Sequence, residues 1–469
     1  METLSQEKDP LTPVQQRAVA ARGNVLVMAG AGTGKTHTLV ERCLNLVCEE
    51  QVSLDEILIV TFTEAAATEM RERLREGLEE AAHLDAPSAG LRAQLALFDA
   101  THIGTLHSFC YKMVREHFHA LELDPQITIM DEGQGRLLAD EIIEEQFQSH
   151  YENEDELSLA AQDLIRIYGN GRDENIRALV LRLHHYTQTR ADAEAWLARQ
   201  IGIFSSAEPL QWREWLSEAL SNWRDDWFPV LKNLQPQNVK AAECLAILEK
   251  FPAGAIPVNA ACADLFQKIA AADAEYPNRK KTVLRKPIED FFEDAEFLGS
   301  LFPAGNNDPL AEDWGWIRGH MVTLLLLAKE FSEKFSARKR ADGVVDFHDL
   351  EQFAIKLLWN FETNGPTAIA GRLREKLRFI FVDEYQDINA AQDRIICALS
   401  RDNRFLVGDV KQSIYRFRLA DPKIFQDYAK NPAAWKGQTI LLAENFRSRE
   451  PLLDFVNSLF AVLMREDIG

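Results

Sequence analysis

The chain has 469 residues, 46% of them apolar and 27% charged, which suits a globular protein with two or three sizeable cores and excludes an intrinsically disordered one. Acidic residues outnumber basic ones, 73 against 52, and the formal net charge of −21 excludes a surface with general affinity for nucleic acid, though not a local basic groove. Six cysteines without a CxxC pair offer neither a disulfide framework nor a zinc ribbon and read as reduced core thiols. The first residues, METLSQEKDP, lack the apolar run of a signal peptide, and the longest apolar stretch, Leu324 to Ala328, is too short to cross a bilayer. The expectation is a cytoplasmic protein with no membrane partner.

From Leu11 to about Asp131, short apolar runs alternate with helical patterns. NVLVMAG, EILIVTFT and ITIMD read as buried strands. Glu64 to Ala82 places Met70, Leu74 and Leu78 four apart among Arg and Glu, an amphipathic helix. This alternation predicts an α/β domain with a parallel sheet. From about Gln134 to Arg340 the strand signal vanishes and helical patterns dominate, and seven of the nine tryptophans sit here, most of them expected to pack helices together. A base-stacking platform is the minor alternative for them. The basic segment Arg279-Lys280-Lys281 through Arg285-Lys286 reads first as a solvated face and second as a phosphate-contacting arm. From Asp346 the α/β texture returns in LRFIFVDE, RFLVGD and TILLAENF, followed by a helix beginning near Glu450.

Strand NVLVMAG runs into Ala29-Gly30-Ala31-Gly32-Thr33-Gly34-Lys35-Thr36 and then a helix to about Cys48, the strand–loop–helix context of a P-loop. Gly30, Gly32 and Gly34 let backbone N–H groups converge on phosphate oxygens, and the helix amino terminus adds partial positive charge. Lys35 is placed for the β- and γ-phosphates of ATP and the Thr36 hydroxyl for Mg2+. Ala29 replaces the usual first glycine and leaves room for the same loop. Far downstream, Asp383 and Glu384 end the predicted strand FIFV, where open α/β sheets bind ligands. Asp383 would hold Mg2+ through water and Glu384 would deprotonate the attacking water. The distance between Thr36 and Asp383 exceeds a compact nucleotide domain, so the helical region is expected to be an insertion.

The order of motifs resembles superfamily 1 DNA helicases of the UvrD/Rep type. LTPVQQRAV is similar to their adenine-reading segment, with Gln15 at the glutamine position. TFTEAAATEMRER and GTLHSFC resemble two DNA-contacting motifs, VDEYQD the Walker B block, and GDVKQSIYRFR and ENFRS complete the run. The wording of these motifs, and DFHDLEQFA from Asp346, is similar to the AddA/RecB-like helicase–nuclease subunits. The resemblance implies a γ-phosphate sensor at Gln412, an arginine finger at Arg447, an adenine-facing ring at Phe446 and a further nucleotide contact at Arg71. It also implies base-stacking rings at Phe62, Tyr415 and Phe417, and backbone-contacting or coupling groups at Thr63, His107, Ser108 and Arg418. Read without the resemblance, the three aromatics would be core residues and His107 an ordinary satisfied histidine.

The implied fold is a RecA-like motor domain in two parts, 1–133 and 341–435, split by a helical insertion at 134–340 and followed at 436–469 by the start of a second RecA-like domain. The implied activity is that of an ATP-dependent 3′–5′ DNA helicase in double-strand-break repair and recombination. It would act on single-stranded DNA and single/double-strand junctions beside an AddB-like or RecC-like subunit. The later helicase motifs and a nuclease domain have no counterpart in these residues, so an amino-terminal portion of a longer helicase is expected. The alternatives are a non-motor module binding ATP and single strands, and a P-loop enzyme of another kind such as a metabolic kinase, which the motif order opposes.

Overall fold

The computed structural model describes residues 11–84, 89–252, 256, 258–276, 284–302 and 308–464. Six strands form one wholly parallel sheet: β1 (Asn24–Ala29), β2 (Ile57–Thr61), β3 (His102–Thr105), β4 (Phe379–Val382), β5 (Arg404–Gly408) and β6 (Gly437–Leu442), in the spatial order β6-β1-β5-β4-β2-β3. Both faces are covered, as a parallel sheet requires. Leu26, Leu58, Val60, Ile380, Val382 and Leu406 point to one core with the helices Leu106–Glu116, Phe347–Leu358 and Ala390–Leu399. Their neighbours Val25, Val27, Ile57, Ile59, Phe381, Phe405 and Val407 point to the other, beneath Lys35–Cys48 and Glu64–Leu84. The predicted Met70, Leu74 and Leu78 stripe lies in that second core. Leu26 is fully enclosed, so Leu26→Ala would cost about 2–5 kcal/mol through lost burial and the cavity left behind.

One strand reading and one boundary are corrected. ITIMD is not a buried strand of the sheet: only Thr128–Ile129 is extended, both residues are exposed, and they pair with Val344–Val345 in a separate ladder. The sheet takes His102–Thr105 as its edge strand instead. The second-domain boundary at residue 436 also moves, because Gly437–Leu442 pairs in parallel register with Asn24–Ala29. Ile440 and Leu442 enter the core while Thr439 and Leu441 face outward, the alternation of an edge strand.

The chain divides into two compact units, one of residues 1–144, 182–196 and 332–469, the other of 145–181 and 197–331. The expected insertion at 134–340 therefore overstates the second unit. Residues 182–196 belong with the first, where Gln352 Nε2 donates to the carbonyls of Gln188 (2.7 Å) and Arg190 (2.9 Å). The described residues of the second unit are helical, apart from their connections. Their core stacks Trp223 on Phe291, with ring centroids 5.1 Å apart, and Trp314 on Phe204 at 5.1 Å. Trp215 and Trp316 instead stand exposed. Arg279-Lys280-Lys281 lies outside the described residues, and Arg285 is ion-paired with Asp273 and Glu289. Among the described residues no helix is long and apolar enough to cross a membrane.

Candidate functional site

Every candidate site group but one leaves the sheet at, or packs against, the carboxyl ends of its strands, where the helix amino termini also converge. The P-loop follows β1, Asp383 and Glu384 follow β4, Gln412, Tyr415 and Phe417 follow β5, Phe62 and Thr63 follow β2, His107 and Ser108 follow β3, and the 444–448 loop follows β6. Sheet order thus sets β6, β1, β5 and β4 on the nucleotide side and places β2 and β3 beyond them.

The P-loop turns through two left-handed glycines, Gly32 (φ 77°) and Gly34 (φ 80°), the latter capping the helix Lys35–Cys48. Gly30 has an ordinary φ and room for a Cβ, so only two of the three glycines are demanded by conformation. Thr36 lies in the first turn of that helix. Gln15 braces the loop from the helix Pro13–Ala20: its Oε1 accepts from the Thr12 N–H (2.9 Å), and its Nε2 donates to the Thr33 carbonyl (3.2 Å).

Lys35 Nζ donates to Glu384 Oε2 (3.0 Å) and Gln412 Oε1 (3.2 Å). The circuit then closes. Gln386 Nε2 donates to Glu384 Oε2 (2.8 Å), the Asp409 N–H donates to Gln386 Oε1 (2.9 Å), and Gln412 Nε2 donates to Asp409 Oδ2 (2.8 Å). A Cβ on Gly408 would sit 2.4 Å from Gln386 Oε1, so this glycine leaves space for the link. Glu384 itself is held in the left-handed region at φ 51°, a conformation that costs a glutamate about 1 kcal/mol or more and tends to mark functional positions. Burial, then the neighbouring Glu384 charge, pushes Asp383 up to about 6. Carboxylate and hydroxyl oxygens beside a P-loop are hard donors suited to Mg2+, and a divalent cation would relieve that crowding of negative charge.

The 444–448 loop lies directly on the P-loop. The Phe446 N–H donates to the Gly32 carbonyl (2.8 Å), and Asn445 Nδ2 donates to the Ala31 carbonyl (2.7 Å). Asn445 Oδ1 accepts from the N–H groups of Arg447 and Ser448, both at 2.9 Å, shaping the turn that carries Arg447. Arg71 is the exception among the nucleotide candidates. Its guanidinium donates to the Ile103 carbonyl on β3, four places from β1 and about 19 Å away at the usual strand spacing, so the structure does not bring it to the cradle.

Phe62 and Tyr415 meet with ring centroids 4.6 Å apart, and Tyr415 and Phe417 at 5.8 Å, an aromatic row from distant segments. Phe417 is 75% exposed, which opposes the core reading for it. The Thr63 hydroxyl accepts from the Ala66 N–H (3.1 Å), and Ser108 Oγ donates to the Thr105 carbonyl (2.8 Å), so both serve their helix starts. His107 Nε2 lies 2.9 Å from Glu351 Oε1. Arg418 closes a short 3-10 turn at Arg416–Arg418. Sequence reasoning missed Gln386, Asp409, Asn445 and Glu351. The first three sit inside the recognised motifs, and Glu351 in DFHDLEQFA.

Comparison with known proteins shows the family of the chain. Residues 11–284 and 317–433 match the family model of the UvrD/REP helicase N-terminal domain. The chain is 34% identical over 483 residues to an ATP-dependent helicase/nuclease subunit of Syntrophomonas wolfei, covering 97% of this chain and 38% of that protein. It is 33% identical over 500 residues to the corresponding protein of Alkaliphilus oremlandii (98% and 40%), and 32% over 486 residues to that of Clostridioides difficile (95% and 38%). The chain thus spans about two-fifths of the length of these relatives. On the matched residues, the chain belongs to the UvrD/REP helicase N-terminal domain family.

Proposed function

We propose that this chain is the ATP-driven motor portion of an AddA-like DNA helicase that moves 3′ to 5′ on single-stranded DNA in double-strand-break repair and recombination. The observation that carries the reading is the convergence of Lys35, Glu384 and Gln412 beneath a loop bearing Phe446 and Arg447. In this reading the P-loop backbone from Ala29 to Thr36 cradles the phosphates of ATP, Thr36 and Asp383 hold Mg2+, and Gln15 and Phe446 face the base. Mg2+ would neutralise charge on the phosphates. Lys35 exchanges its carboxylate partner for a phosphate oxygen. Glu384, released, accepts the proton of the attacking water. Arg447 stabilises charge on the transferring group, and Gln412 reports the change to the segment carrying Tyr415 and Phe417.

Phe62, Tyr415 and Phe417 supply ring faces that any base can stack upon, so the single strand is bound without sequence preference. Thr63, His107, Ser108 and Arg418 act at its backbone. The helical residues between the two parts of the motor domain are an insertion, and an AddB-like or RecC-like subunit is the expected partner in a cytoplasmic complex acting at single/double-strand junctions.

The test is steady-state ATP hydrolysis by this chain with and without a single-stranded oligonucleotide, beside Lys35→Ala. Turnover that the oligonucleotide stimulates and that Lys35→Ala abolishes would show a working motor site within these residues. ATP binding without turnover would mean that these residues need the rest of a longer helicase for turnover, or that they form a non-motor binding module, and turnover retained in Lys35→Ala would overturn the P-loop assignment.

A further inference from the structure

Glu351 is an unusual residue to find at the centre of a sheet–helix core. It is 1% exposed, on the helix Phe347–Leu358, among Leu350, Ala354 and Ile355. An ionised carboxylate survives burial only when its oxygens are fully partnered, and here they are. Oε1 receives Gln392 Nε2 at 2.6 Å and His107 Nε2 at 2.9 Å, and Oε2 receives Asn389 Nδ2 at 3.2 Å. Burial alone would push the Glu351 carboxyl up, yet the bond and charge of His107, with His348 and Gln392, hold it below the ordinary range.

An ionised carboxylate can only accept, so His107 must carry a proton on Nε2, and its tautomer and ring plane are set together. One helical turn before Glu351, the half-exposed Phe347 packs its ring 4.9 Å from the imidazole. His107 keeps 34% of its side chain open and directs one edge inward to the carboxylate. Asn389 and Gln392, which supply the remaining bonds, form the capping box of the helix that follows the Asp383–Glu384 turn. The carboxylate therefore joins the start of that helix to a residue at the end of β3, 244 residues away in the chain.

We propose that Glu351 is a positioning residue for single-strand binding, holding His107 by Nε2 so that its Nδ1 edge is presented to the strand. The proposal rests on the reading of His107 as a strand contact. It assigns to DFHDLEQFA a task that no nucleotide or strand contact of its own would reveal.

The experiment is a mutant cycle of Glu351→Gln, His107→Ala and the double variant in the 469-residue chain, read by the anisotropy of a fluorescent oligo-dT and by binding of a fluorescent ATP analogue. Gln keeps the volume but can donate, which frees the ring to flip its tautomer. The expected result is a loss of oligo-dT affinity of about tenfold in either single variant, from one charge-assisted bond. Glu351→Gln should add nothing once His107 is gone, and ATP-analogue binding should persist in all three. Wild-type affinity in Glu351→Gln beside a weakened His107→Ala overturns the proposal alone. So does an equal further loss in the double variant, which would mark Glu351 as structural. Wild-type affinity in His107→Ala removes the parent reading itself. A second readout needs no Glu351 variant: in 15N-histidine-labelled protein, the signal absent from His107→Ala should show a proton on Nε2, and a bare Nε2 overturns the proposal.

Discussion

Lys35 Nζ rests 3.0 Å from Glu384 Oε2, joining the P-loop to the strand end that carries the general-base candidate, 349 residues later. The same carboxylate oxygen also accepts from Gln386, so Glu384 is held at two points. On the proposed reading, this ion pair restrains the base until a phosphate competes for the ammonium. Glu384→Gln keeps the shape and the Gln386 neighbour but removes the proton acceptor. ATP hydrolysis should fall by about 100-fold or more, the usual contribution of a positioned base, while Mg-ATP binding persists. Loss of nucleotide binding in this variant would make Glu384 a structural residue instead.

Gly32 is constrained twice over. Its φ of 77° disfavours any side chain, and a Cβ there would sit 2.6 Å from the Cβ of Arg447 and 2.9 Å from Asn445 Oδ1. Gly32→Ala therefore strains the P-loop by about 1 kcal/mol or more and displaces the loop that bears Arg447. Turnover should be lost more completely than nucleotide affinity. The same change at Gly30, where a Cβ meets nothing closer than 3.7 Å, should be far milder. Equal effects at the two positions would disprove the idea that loop contact, rather than P-loop glycine content, sets the cost.

Phe417 touches Tyr415 but is largely open, so Phe417→Ala removes a stacking face without opening a cavity. Single-strand affinity should weaken by about 1–3 kcal/mol, the range for one base on one ring. The urea midpoint should not move. Phe381→Ala is the contrast: that ring is fully buried between the sheet and its helices, and its loss should cost about 3–5 kcal/mol of stability. If Phe417→Ala instead lowered the midpoint and left the affinity alone, the ring would be core after all.

Legibility in the sequence followed the range of the interactions. β1 and the P-loop were readable because Val25, Leu26 and Val27 form an unbroken apolar run that meets its glycines directly. β3 was not, since His-Ile-Gly-Thr has no apolar run and becomes a strand only by pairing with Leu58 to Thr61. ITIMD erred the other way: Ile127 and Met130 are buried, but the residues between them face outward. The motif residues of the cradle could be named from local pattern. Their mutual bonds could not, because Gln386 finds Asp409 and Asn445 finds Ala31 across long stretches of chain. Arg71 was misplaced for the same reason, its partner being a backbone carbonyl that carries no sequence signal.

His184 offers a prediction about stability rather than chemistry. It is buried, its Nδ1 lies 2.8 Å from Ser332 Oγ, and its ring packs edge-on to Phe335. Burial first, then the charges of His185 and Lys339, push it down to about 3 against an ordinary 6.5. The folded protein therefore keeps His184 neutral while the unfolded chain takes up a proton. Above about pH 6.5 neither state is charged and stability is unaffected. Below it the unfolded state gains about 1.4 kcal/mol per pH unit, until the folded histidine also protonates near 3. His184→Gln keeps a hydrogen-bonding group of similar size and cannot titrate. Between pH 7.5 and 5.0 its stability to urea should fall by about 2 kcal/mol less than that of the wild type. Carboxylates that titrate in the same interval act on both proteins and cancel in the comparison. Parallel losses in the two proteins would mean that His184 is already protonated in the fold, despite its burial beside His185 and Lys339.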